Sequence, residues 1–113
     1  MREAKQGKHA EVIQLLKKVF VNVRGVKGLT ALCGAANYGH LQVAETLLEN
    51  GADLDIGTED DETPLMFAAQ EGHLSVINLL LENNCKVDVQ NKDGTSALMQ
   101  AAYWGHHFIC SLV

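Results

Sequence analysis

Between Thr63 and Asn84 the apolar positions change step. "PLMFAA" is a compact apolar run closed by "QEGH", after which Leu74, Val76, Ile77, Leu80 and Leu81 recur at helical spacing. Two short helices joined by a tight turn at Gly72 account for both halves. Thr63 can cap the first helix with its hydroxyl, and Pro64 occupies the first helical position, where a missing N–H costs nothing. The stripe on the second helix faces a core. Behind it "ENN" places Asn84 where a helix end wants a left-handed residue, and the matching position upstream is Gly51, the residue best suited to that conformation.

This unit repeats. "LTALCGAANYGHLQVAETLLENGADLD" begins at Leu29, "ETPLMFAAQEGHLSVINLLLENNCKVD" at Glu62 and "TSALMQAAYWGHHFICSLV" at Thr95, so the period is 33 residues. Gly39, Gly72 and Gly105 fall in one register, as do His40, His73 and His106. The alanine pairs at 35 and 36, 68 and 69, and 101 and 102 put small side chains where two helices can approach closely. Upstream, "AKQGKHAEVIQLL" fits the back half of the same unit with one residue deleted after it.

The 33-residue period, the T-P-L-x-x-A-A…G-H-L…L-L-x-x-G-A-D pattern and the turn "KDGTSAL" together resemble the ankyrin repeat, over essentially the whole chain. The resemblance implies an all-α solenoid of stacked helix-turn-helix units with short β-hairpin fingers, and protein–protein binding as its work. One domain, 1–113, is expected: a partial repeat 1–27, repeats 28–60 and 61–93, and a truncated repeat 94–113. Two departures stand out. Where the family's pattern has a His after T-P-L, bonding within and between repeats, this chain has Cys33, Met66 and Met99, so that network should be absent and soft side chains should fill the space. At the finger tips Gly28 and Gly94 match the family's turn glycine while Asp61 replaces it, which makes "TEDDET" the finger expected to be most charged and most mobile.

Composition agrees with a globular domain: 113 residues, 47% hydrophobic, one proline. No apolar run approaches the roughly 20 residues of a membrane span, and "MREAKQGKHAEVIQLL" has no signal-peptide core. Cys33, Cys85 and Cys110 are odd in number and fit neither a CxxC site nor a disulfide framework, which points to a reducing compartment, cytoplasmic or nuclear. The net charge of −5 is uneven: residues 1–27 are net +5, 28–60 net −6, 61–93 net −4, and the last twenty neutral. The basic start is a weak argument for nucleic acid, because no aromatics interleave its lysines and the acidic middle repels phosphate.

Enzymatic and metal chemistry find no footing in the pattern. There is no phosphate-cradling glycine loop, GxSxG elbow or HExxH. Cys33 reads as helix packing rather than a nucleophile. His40, His73 and His106 recur once per unit, so roughly 8–10 Å of helix packing separates neighbours and they form a row, not a cage of ligands; each is expected to steady its own turn. "TEDDET" lacks the alternating carboxylates of a calcium loop. No cofactor and no small-molecule substrate is expected.

The resemblance places a partner on the concave face built by fingers and first-helix ends. Carried over by position, the finger residues are Val26, Lys27, Leu29, Glu59, Asp60, Glu62, Lys92, Asp93 and Thr95; the helix-end residues are Asn37, Tyr38, Gln70, Glu71, Tyr103 and Trp104. Tyr38, Tyr103 and Trp104 are the expected anchors, since aromatics are frequent interface hot spots; Trp104 could instead pack against a further unit. "HHFICSLV" gives only the opening of a second helix and carries no charge, whereas a terminal unit needs a polar outer face. The chain is therefore expected to be a segment of a longer array whose apolar end is a route to self-association. Two functions remain open: an adaptor or scaffold, or the regulatory or docking segment of a larger enzyme such as a signalling kinase, including a truncated isoform of one.

Overall fold

The computed structural model describes residues 19–112. The helix expected over "AKQGKHAEVIQLL" and most of the basic first segment lie outside the described residues, as does Val113. Residues 19–21 are helical, a single 3-10 turn covers Val26–Gly28, and three helix pairs follow: α1 Ala31–Tyr38 with α2 Leu41–Glu49, α3 Pro64–Glu71 with α4 Leu74–Glu82, and α5 Ala97–Tyr103 with α6 His107–Cys110.

Local chemistry starts and stops each first helix. The hydroxyls of Thr30, Thr63 and Ser96 accept from the backbone N–H of Cys33, Met66 and Met99, each three residues on, and Pro64 opens α3. Gly39 and Gly72 close α1 and α3 in the left-handed region, with φ of 71° and 76°. After α2 and α4 the chain reverses at Gly51 (φ 91°) and Asn84 (φ 60°), so the asparagine does adopt the expected left-handed conformation. Asp61 does the same at the middle finger tip, with φ 61°.

The helices stack in two rows. First helices pack successively, α1 on α3 and α3 on α5, while α2 packs on α4. Ala35, Ala36, Ala68, Ala69 and Ala101 are buried at the first-helix contacts, with Leu32 and Leu65 between them. Val76, Ile77 and Leu80 are buried on α4. The remaining members of the expected stripe are not: Leu81 is half-buried and Leu74, the first residue of α4, is exposed. Leu74 borders a shallow cavity of about 330 Å³ with Gly105, Phe108 and Ile109, where the third unit gives little cover. The result is a rod measuring 59 × 25 × 21 Å, with a radius of gyration of 15.9 Å against about 13 Å for a globule of this length.

Between helix pairs the chain makes a finger. Its neck closes at one period, Gly25 N–H to Leu29 O (2.8 Å), Thr58 N–H to Glu62 O (3.0 Å) and Asn91 N–H to Thr95 O (2.9 Å). A three-residue loop with a left-handed last residue, Gly28, Asp61 or Gly94, is the short hairpin connection that right-handed strand twist favours. Pairing goes little further: the described residues hold one isolated bridge, Gln90 with Ser96, and no strand.

Candidate partner-binding face

Fingers are joined to one another through backbone. Glu59 N–H donates to Lys27 O at 2.9 Å and Lys92 N–H to Asp60 O at 3.0 Å, so the three tips form one continuous lip. Below the tips, Asn22 Oδ1 accepts from Asp53 N–H at 2.7 Å and Asp55 Oδ1 from Lys86 N–H at 2.9 Å, each tying one unit to the next. Arg24 adds a guanidinium bond to Gly57 O.

On this lip Val26, Lys27, Leu29, Glu59, Asp60, Lys92 and Asp93 are exposed, and Glu62 and Thr95 are half-buried. At the first-helix ends Tyr38, Glu71, Tyr103 and Trp104 are exposed while Asn37 and Gln70 are half-buried. The three aromatic anchors keep 70%, 79% and 53% of their surface for Tyr38, Tyr103 and Trp104. Tyr38 stacks near His40 with centroids 6.0 Å apart, and Tyr103 meets Trp104 edge to face at 5.0 Å. Trp104 thus leans on its neighbour in sequence and remains half open.

Stacking concentrates acid in a way that sequence distance conceals. Partial burial raises the Glu62 carboxyl above its ordinary value of 4.5, and Asp60 and Asp93, the latter from the next finger, push in the same direction. The cysteines are packing residues. Cys33 is fully buried on α1, where burial raises its thiol, and Cys85 is half-buried, its thiol pushed up to about 11 by burial first and the Asp55 charge second. Among the described residues no group of His, Cys, Asp or Glu is arranged to hold a metal, and no helix is long and apolar enough to cross a membrane.

The histidine row does something the sequence reading missed. Instead of only steadying its own turn, His73 reaches back a unit: Nε2 lies 3.0 Å from Asn37 O, and His106 Nε2 lies 2.9 Å from Gln70 O. A carbonyl can only accept, so each ring carries a proton on Nε2. The ring lies flat against the preceding unit's turn glycine. A Cβ on Gly39 would stand 2.6 Å from His73 Nδ1, and one on Gly72 2.7 Å from His106 Cε1. The glycine therefore serves both the left-handed turn and the ring's approach. Cys33 and Met66 fill the position after the cap as expected, at 0% and 2% exposure, whereas Met99 stands 50% exposed. So inter-unit bonding is present here, supplied by the turn histidine.

Comparison with known proteins agrees with this geometry. A family model described as "Ankyrin repeats (3 copies)" matches residues 1–60 and 50–113. A similar protein is the mouse serine/threonine-protein kinase TNNI3K, 35% identical over 73 residues, which cover 54% of this chain and 9% of the kinase. The chain thus spans under a tenth of that relative's length. With capped first helices, glycine-turned pairs and fingers all repeating in the register that the family model matches from end to end, the chain belongs to the ankyrin repeat family, whose stacked units make a protein-interaction module.

Proposed function

We propose that this chain is a non-enzymatic adaptor or scaffold that holds a partner protein on its concave face, the partner lying across the fingers and against Tyr38, Tyr103 and Trp104. The observation behind this reading is the lip itself: finger tips joined into a single edge, with exposed acids and three open aromatics beside it. Aromatics supply contact area at low entropic cost, and the acids set charge preference. The test is affinity capture from cell lysate with mass-spectrometric readout, comparing the native chain with Tyr38→Ala/Trp104→Ala and with Glu45→Ala/Asn78→Ala on the second helices, all checked for helicity. A partner lost only with the aromatic pair supports the concave face. Equal recovery by all three sinks it.

The kinase relative favours a second reading, in which this segment regulates or docks onto a larger enzyme. A catalytic domain recovered as the aromatic-dependent partner would select that reading over a free adaptor.

A further inference from the structure

We propose that Asn50 is a site of spontaneous deamidation held shut by the fold, and that a hydrogen bond from the preceding segment is part of the lock. In the whole sequence glycine follows asparagine at one place, Asn50 and Gly51. The pairing matters because the reaction begins when the next residue's amide nitrogen attacks the asparagine side chain. Glycine has no Cβ to obstruct that approach, and its backbone rotates most freely.

Water is the co-reactant. The Gly51 nitrogen gives its proton to hydroxide and bonds to Asn50 Cγ; the Cγ–Nδ2 bond breaks, and the side-chain nitrogen takes a proton from water and leaves as ammonia. A water molecule then opens the five-membered succinimide. Addition at Cγ restores the main chain with an aspartate, whereas addition at the main-chain carbonyl carbon gives isoaspartate, whose backbone runs through Cβ and Cγ.

The folded turn restrains each partner in this step. Ring closure needs the Gly51 nitrogen on the side of Cα that carries Cβ, but ψ of Asn50 is 12°, which turns it well away. Gly51 N–H donates to Leu48 O at 3.1 Å, and Asn50 Nδ2 donates to Thr46 O at 2.8 Å, drawing the side-chain amide back along α2. Asn22 Nδ2, one segment upstream, donates to Gly51 O at 3.0 Å and steadies the turn from outside. Local opening is therefore what brings nitrogen and carbon together.

Asn83 is an internal control. Standing 33 residues on, it ends α4 with φ −93° and ψ 16°, against −95° and 12° at Asn50, and its Nδ2 donates to Leu79 O at the same 2.8 Å. Its successor is Asn84, whose side chain hinders the attack.

The product cannot reclose the turn as before. A carboxylate in place of Nδ2 sets acceptor against acceptor at Thr46 O and puts negative charge at the carbonyl end of α2. Isoaspartate also lengthens the main chain just ahead of Asp53 and Asp55, whose bonds with Asn22 and Lys86 tie their unit to the segments before and after it. Opening followed by reaction is a one-way step that weakens both junctions.

The test is peptide mapping by mass spectrometry after incubating the full chain at neutral pH, folded or in urea. In urea Asn50 should deamidate at least about tenfold faster than Asn83, and folding should slow Asn50 at least about tenfold. Asn22→Asp removes the donor to Gly51 O while keeping an oxygen for Asp53 N–H, and should speed Asn50 severalfold in the folded chain. Amide exchange should quicken at Gly51 and not at Leu80 in that variant, which separates opening of the turn from loss of the fold. The deamidated chain, isolated by its added charge, should unfold at lower urea. Equal Asn50 rates folded and unfolded, equal rates at Asn50 and Asn83 in urea, an Asn22→Asp chain no faster than the native one, or an unchanged urea midpoint after modification would each overturn the proposal.

Discussion

Gly72 and Gly105 have nearly the same backbone, φ 76° and 77°, and opposite surroundings. Against Gly72 lies the imidazole of the next unit; around Gly105 there is open space. Leu65 and Leu98 repeat the contrast, at 1% and 42% exposure. The repeat thus writes conformation into each unit by itself, while burial belongs to the junction between two units. A residue's register says what shape it takes, and its neighbour says what it is worth.

This difference can be tested by substituting equivalent positions. The largest effect is expected in the core: Leu65→Ala should cost about 3 kcal/mol, within the range for emptying a buried leucine site, and Leu98→Ala about 1 kcal/mol, both read by urea unfolding. Similar losses at both sites would mean that the end unit is covered in solution. Next comes the histidine bridge. His73→Ala should cost about 1–2 kcal/mol through one lost hydrogen bond and the contact on Gly39, while His40→Ala, at an exposed ring, should cost under about 0.5 kcal/mol.

The smallest effect is at the fingers and depends on pH. Because the Glu62 carboxyl is raised in the folded chain, folding disfavours its charged form, and the penalty is complete only at a pH above the folded value. Glu62→Gln should therefore raise the thermal midpoint slightly at pH 7, and the gain should fade as pH falls through the folded value towards the ordinary 4.5 and below, where the native carboxyl is itself protonated. A gain that persists at pH 3 would assign it to something other than charge.

Much of the fold was legible from sequence because its signals are local. Thr63 and Pro64 announce a helix start within four residues, and Asn84 and Asp61 substitute for glycine where a left-handed residue is needed; all four behave as their register requires. The junctions were not legible. His73 bonds a carbonyl 36 residues away, and nothing within its own turn signals that reach. Leu74 and Met99 carry the right residue type in the right phase, yet stand open because periodicity says which face a side chain takes and not whether anything lies against it. At the candidate site, register located the exposed aromatics, whereas the push of Asp93 on Glu62 emerges only when consecutive fingers are laid side by side.

The finger lip has a mechanical consequence. Along the helical side, one unit grips the next through buried leucine and alanine; along the lip, the tips are joined by one backbone bond per step, Lys27 O with Glu59 N–H and Asp60 O with Lys92 N–H. Such a body is held by packing along one edge and by hydrogen bonds along the other, so the lip is the edge expected to open first. In the proposed reading, a partner that spread the tips would lose roughly 1 kcal/mol for each finger bond it broke, so the lip itself favours partners that fit its spacing.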